Sequence, residues 1–250
     1  MSPTTAQTTP SVPPAAGGEE WPDETKLVTE DGKPVDNIYS EKQMRLLTEP
    51  LYLHWAGNRR FIATANVGLF YNANQPPLVP DVLLSTDVEV PDEFYSKPNR
   101  SYFLWRYGRP PKVVIEIVSN KEGGEDTTKR DLYAQIGVSN YAIHDPDNLL
   151  GGGTLRLFSL FENRYRPKPD GWLESVGLGL TLWHGPFEEW DTIWLRWCDQ
   201  KGDPIPTGAE RAAEAETLRA EALRQAEAER QRAEKLLAIL KEKGIDPGPL

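Results

Sequence analysis

Two carboxylates stand where the chain is otherwise at its most apolar. Asp81 interrupts the run 78–84 (LVPDVLL), and Glu116 sits inside 112–118 (KVVIEIV). A charge buried in a strand is costly unless it is paired, hydrogen-bonded or bound to a metal. Side chains alternate along a strand, so Val114, Glu116 and Val118 share one face and Val113, Ile115 and Ile117 the other. If the Asp81 strand lies beside this one, the two acids converge. Oxygen ligands in that arrangement suit a hard divalent ion, Mg2+ or Mn2+. Glu125, Lys129 and Tyr133 follow at i, i+4 and i+8, which is one helical face. The plainer reading puts each acid on the wet face of an edge strand or beside an arginine. It makes the Glu125–Lys129–Tyr133 face a solvated one.

The elements that would position these groups read as follows. Met44, Leu47, Leu51 and Trp55 predict a helix over 41–55, with Ser40 as its N-cap and Pro50 kinking or splitting it. Extended pieces are expected at 60–65, 67–71 and 78–84. The best strand is 112–118, β-branched and bounded by Pro110-Pro111 and Ser119-Asn120. A loop over 120–125 precedes a helix over 126–136, closed by Gly137. A strand over 140–144 stops at Asp145-Pro146, and Gly151-Gly152-Gly153 is a turn. Short strands are expected at 155–160, 164–167, 172–174, 180–183 and 191–197. From 209 to 243 an Ala/Glu/Arg-rich stretch reads as one long helix with balanced charge. Ala226, Ala233 and Leu240 recur every seven residues, but Arg230 falls in the same seam. Self-association as a coiled coil, packing on the body and a solvated single helix all fit.

The 250 residues carry a net charge of −10. Residues 19–36 alone supply −5 of it, within an acidic, Pro- and Thr-rich tail over 1–36 expected to be disordered. One Cys excludes a disulfide framework and a multi-Cys zinc cage. His54, His144 and His184 lack metal-ligand spacing, and no Gly run continues into a phosphate-binding P-loop. No apolar run is long enough to span a bilayer, so the cytoplasm is the default and no membrane partner is expected. The acidic balance argues against a broad nucleic-acid footprint. The stretch 97–112 is the local exception. It carries Lys97, Arg100, Arg106, Arg109 and Lys112 without an acid, interleaved with Tyr102, Phe103, Trp105 and Tyr107. That pattern suits contact with a phosphate backbone and stacking on bases. Equally, its aromatics could fill a core edge.

An acid after Pro in one strand, an acid in a second and a lysine nearby form the outline of the PD-(D/E)XK nuclease superfamily. The detail is closer to one branch. Pro80-Asp81-Val82-Leu83-Leu84, Pro111 to Ser119, Lys129-x-x-x-Tyr133-x-x-x-Gly137-Val138-x-x-Tyr141 and His144-Asp145-Pro146 together resemble the Uma-two family of restriction-endonuclease-like proteins. Trp194-Leu195-Arg196-Trp197 and Gly202 to Thr207, followed by the long helix, are similar to that family as well. The resemblance implies an α/β fold: a restriction-endonuclease-like core with a mixed central sheet flanked by helices, extra C-terminal strands and a long C-terminal helix. It places the nuclease-like domain at 37–207 and the helix at 208–243. It makes Asp81 and Glu116 the metal ligands, joined by the Ile117 backbone carbonyl. The superfamily's lysine position is Val118 here, and Lys129 matches the migrated lysine. Glu125 stands where many relatives carry Asp. Glu41, with Glu49 in reserve, matches the acid on the first helix. The implied activity is Mg2+-dependent (or Mn2+-dependent) hydrolysis of DNA, with a homodimer serving a double-strand cut. The competing expectation is a non-catalytic binding or assembly protein that uses its C-terminal helix. An RNA substrate stays open.

Overall fold

A computed structural model describes residues 37–93, 95–121 and 123–244. The expected acidic tail over 1–36 lies outside the described residues. Helix α1, Ile38–His54, starts earlier than its apolar spacing suggests. Asn37 is the N-cap, its side chain accepting from the Ser40 amide at 2.8 Å. Ser40 is therefore inside the first turn. Pro50 does not split the helix, which runs on to His54.

The strands follow as β1 (Phe61–Ala65), β2 (Leu69–Phe70), β3 (Val82–Thr86), β4 (Tyr102–Phe103) and β5 (Val113–Ile117). A four-residue helix α2, Leu104–Tyr107, lies between β4 and β5. Helix α3 (Thr128–Ile136) leads to β6 (Asn140–His144), β7 (Leu155–Phe161) and β8 (Arg164–Pro167). Gly137 closes α3 in the left-handed conformation, at φ 94°, a geometry that glycine adopts without a Cβ penalty. Strands β9 (Trp172–Leu173), β10 (Leu178–Phe187) and β11 (Trp190–Cys198) precede helix α4 (Gly208–Glu242).

The central six-stranded sheet has the order β1-β3-β5-β6-β7-β8. It is mixed: β5 and β6 are parallel, with α3 as their crossover, and the other neighbours are antiparallel. Strands β9–β11 form a second, antiparallel sheet, and β2 pairs with β4 in a short parallel ribbon. The fold is thus the expected mixed α/β one, with extra C-terminal strands and a long last helix.

β5 divides the core. Val113, Ile115 and Ile117 pack with Met44, Leu47 and Leu51 of α1 and with Leu195 and Trp197 of β11. Val114 and Val118 pack with Tyr133 and Ile136 of α3 and with Tyr141 and Ile143 of β6. One departure concerns 97–111, to which the sequence pattern assigns no element. It holds a 3-10 turn (Lys97–Asn99), β4 and α2. Tyr102 and Phe103 are core residues, with the Tyr102 hydroxyl 2.8 Å from Ser85 Oγ. Burial removes these two rings from any base-stacking role.

The chain divides after Ile205 into two compact units, and α4 belongs to the second. α4 begins sharply at a capping box, Thr207 accepting from the Glu210 amide and Glu210 from the Thr207 amide. None of its residues is buried, and Leu218, Leu223, Leu236 and Ile239 face solvent. No helix among the described residues is long and apolar enough to cross a membrane.

Leu47 is fully buried between α1 and the sheet. Leu47→Ala should lower the unfolding free energy by about 2–5 kcal/mol, read from urea denaturation.

Candidate active site

Register brings the two acids together. Val82 of β3 lies opposite Ile115 of β5, so the next step places Asp81 beside Glu116. Asp81 Oδ2 accepts from the Ile117 amide at 2.6 Å, which ties the residue before β3 to the end of β5. The strand's alternation turns Glu116 toward α3, on the side of Val114 and Val118.

Glu116 is fully buried, and both of its oxygens are engaged. Lys129 Nζ donates to Oε2 at 2.9 Å, and the Tyr133 hydroxyl donates to Oε1 at 2.7 Å. Lys129 also reaches Glu125 Oε1 at 3.3 Å, so one ammonium bridges two carboxylates. The one-turn spacing within α3 sets both Lys129 and Tyr133 over Glu116. Glu125 stands in the turn just before α3, and its backbone carbonyl accepts from the Tyr141 hydroxyl at 2.7 Å. A Cβ on Gly123 would lie 1.8 Å from Glu125 Oε1, so the loop has a glycine where the carboxylate folds back.

The electrostatics follow from this burial. Desolvation, and then the nearby Asp81 charge, push the Glu116 carboxyl up from 4.5 to about 8. Lys129 and Tyr133 oppose that rise without cancelling it. Burial alone would lower the Lys129 ammonium, but Glu116, Glu125 and Asp81 hold it above its ordinary value. Lys129 therefore stays charged across the physiological range.

Sequence reasoning placed Tyr133 on the Glu125–Lys129 face without assigning it a role. Its signal was that i, i+8 spacing. Glu41 is not among the groups that meet Glu116. Its carboxylate, 45% exposed, pairs with Arg45 one turn on, at 2.5 Å. Glu49 is exposed. The face of α1 turned to the sheet is apolar there, and the acids fall on the other side. The basic stretch is also separate. Lys112 precedes β5, whereas Glu116 is near that strand's other end, about 13 Å away at ~3.3 Å per residue. Arg109 enters β5 from the same far end. Arg100, Arg106 and Arg109 are exposed, and Lys97 and Lys112 are half-buried.

Among the described residues, no group of three or more His, Cys, Asp or Glu is set to hold a metal. Lys129 and Tyr133 take up the Glu116 oxygens instead. The donor chemistry nevertheless fits a hard cation. Asp81, Glu116 and Glu125 offer carboxylate oxygens, and Glu125 Oε2 is buried without a hydrogen-bond partner.

The Glu116 shift has a sign that stability can test. A folded value above 4.5 means that the native state holds this proton more tightly than the unfolded chain does. The stability it contributes is complete below about 4.5 and is lost as pH rises through about 8. In EDTA, the melting temperature of Glu116→Gln relative to the wild type should therefore climb from pH 5 to pH 8. A difference that shrinks over that range would contradict the burial argument.

A model of the Uma2 family, described as "Putative restriction endonuclease", matches residues 32–183, more than half of the chain. No curated protein matches. Among solved structures, a "putative nuclease belonging to DUF820" from Anabaena variabilis ATCC 29413 is similar at 15% identity and a TM-score of 0.41. That likeness covers 56% of this chain and 73% of the other.

Proposed function

This chain belongs to the Uma2 family of restriction-endonuclease-type proteins, and from that premise we propose that it is a divalent-metal-dependent endonuclease that hydrolyses phosphodiester bonds in DNA. The observation that carries the reading is the Lys129 ammonium held between Glu116 and Glu125, with Asp81 just before the adjoining strand. A charged cluster with one ammonium between two carboxylates is the arrangement that phosphate chemistry uses, although it also neutralises the buried acid.

Asp81, Glu116 and the Ile117 carbonyl would hold the ion, Mg2+ or Mn2+. When bound, that ion supplies a polarised phosphoryl oxygen and a more acidic water. Lys129 remains an ammonium and donates to a non-bridging phosphate oxygen, offsetting the charge that grows as water attacks phosphorus. The P–O bond to the leaving sugar oxygen breaks, that oxygen takes a proton, and the attacking water loses one. Glu125 fixes the lysine through Oε1, and its unpartnered Oε2 is available to accept from the attacking water. Tyr133 donates to Glu116 and fixes the rotamer of that carboxylate.

Lys97, Arg100, Arg106, Arg109 and Lys112 are the proposed contacts to the backbone of flanking DNA. With no residue of α4 buried, that helix favours self-association of two copies. A homodimer would bring two sites to one duplex, and the same helix would serve an assembly role if the site did not turn over.

Nicking of supercoiled plasmid tests the reading. Mg2+ or Mn2+ should support cleavage and EDTA should stop it. Lys129→Ala and Glu116→Gln should each lower the rate about 100-fold or more while the far-ultraviolet circular dichroism is kept. A Lys129→Ala protein that cuts at the wild-type rate would end the assignment.

A further inference from the structure

A cavity of about 500 Å3 opens where α1 begins and where the parallel strands β5 and β6 end. The carboxyl ends of parallel strands are the usual ligand side of an α/β sheet. Val118, two residues beyond Glu116, reaches the cavity wall; the cavity itself opens toward α1, β10 and β11, on the face of the sheet opposite the Glu116 side chain.

The cavity has the marks of a built site. Ser40 lines it and is only 2% exposed, yet its Oγ is buried without a hydrogen-bond partner. A hydroxyl in that position is destabilising unless something pairs with it. Beside it, the Tyr39 hydroxyl lies 2.7 Å from His144 Nε2. His144 Nδ1 is 3.3 Å from the Thr154 carbonyl, which can only accept. The proton is therefore on Nδ1, and Tyr39 donates to Nε2. The Tyr39 ring is clamped against Trp194, with centroids 5.2 Å apart and planes at 8°. These walls are pre-arranged.

The chemistry of the lining selects an occupant. Val118, Leu182 and Ile193 offer apolar surface, while Ser119 and Thr192 offer hydroxyls. Asp147 adds a carboxylate at the mouth, and among the described residues no lysine or arginine lines the space. A phosphate would meet negative charge with no cation to hold it. A flat group with apolar faces and a polar edge meets both surfaces. We propose that this cavity takes one unstacked base of the bound strand. The proposal rests on the nuclease reading above. Because unstacking costs least in single-stranded or distorted DNA, such substrates are preferred over intact duplex.

The test compares two short strands of equal length by fluorescence anisotropy in EDTA: an oligothymidylate and a chain of abasic deoxyribose phosphates. The wild type should bind the oligothymidylate about tenfold or more tightly than the abasic strand. Thr192→Trp, which fills the cavity, should bind the two strands alike. Ser40→Ala should weaken oligothymidylate binding about three- to tenfold without lowering the melting temperature, since it removes an unpaired buried hydroxyl. A purely structural serine would move the melting temperature and not the affinity. Equal binding of both strands by the wild type, or full discrimination by Thr192→Trp, overturns the base pocket and leaves the nuclease reading standing. Failure of every protein to bind either strand both in EDTA and in Ca2+ overturns both.

Discussion

The structure turns on one buried carboxylate. Glu116 occupies a strand position that apolar neighbours fill on either side, and it is removed from water entirely. A lone ion there would be untenable. It persists because an ammonium and a phenol hydroxyl meet its two oxygens, and because proton uptake is an alternative to charge. Its neighbours come from separate segments: Asp81 from before β3, and Lys129 and Tyr133 from α3. Each segment must be in place for the others to be tolerated. The fold and the site are therefore one problem in electrostatics.

β5 solves that problem by having two faces with different duties. Its odd-numbered residues belong to an apolar layer with α1 and β11. Its even-numbered residues face α3, where apolar packing and the polar cluster alternate. The α1 side supplies burial free energy without carrying chemistry. The α3 side can then hold a buried arrangement of charge. The parallel pairing of β5 and β6 requires a crossover, and that crossover is the helix bearing Lys129 and Tyr133. Topology thus delivers the lysine to the acid even though Val118 fills the position two residues after Glu116.

Much of this was legible in the chain because it rests on local periodicity. Alternation in 112–118 gave the side on which Glu116 lies, and one-turn spacing aligned Glu125, Lys129 and Tyr133. The nearness of Asp81 was legible only as a condition, because strand pairing is non-local. The helix acid Glu41 pairs with Arg45 in the fold, and local spacing alone does not say which flank of a helix meets the sheet at its ends. Asn37 as N-cap was missed for a related reason: Ser40 and Asn37 both carry capping side chains, and backbone geometry decides between them. Tyr102 and Phe103 looked like an aromatic interleave on a basic surface. Their burial depends on β2–β4 pairing between two-residue strands, too short to leave a pattern. Gly123 falls within the loop expected over 120–125. Its role beside Glu125 depends on a side chain folding back against its own loop, which no periodicity encodes.

The bridging lysine also governs how the medium is felt. Its side chain is 28% exposed, whereas that of Glu116 is 1% exposed. Dissolved ions can approach the ammonium from one side but cannot enter between it and the carboxylate. Attraction between buried or half-buried charges is only weakly damped by electrolyte. The cluster should thus hold its internal balance from dilute buffer to concentrated brine. Any sensitivity to ionic strength would belong to the docking of a polyanion on the outer basic residues.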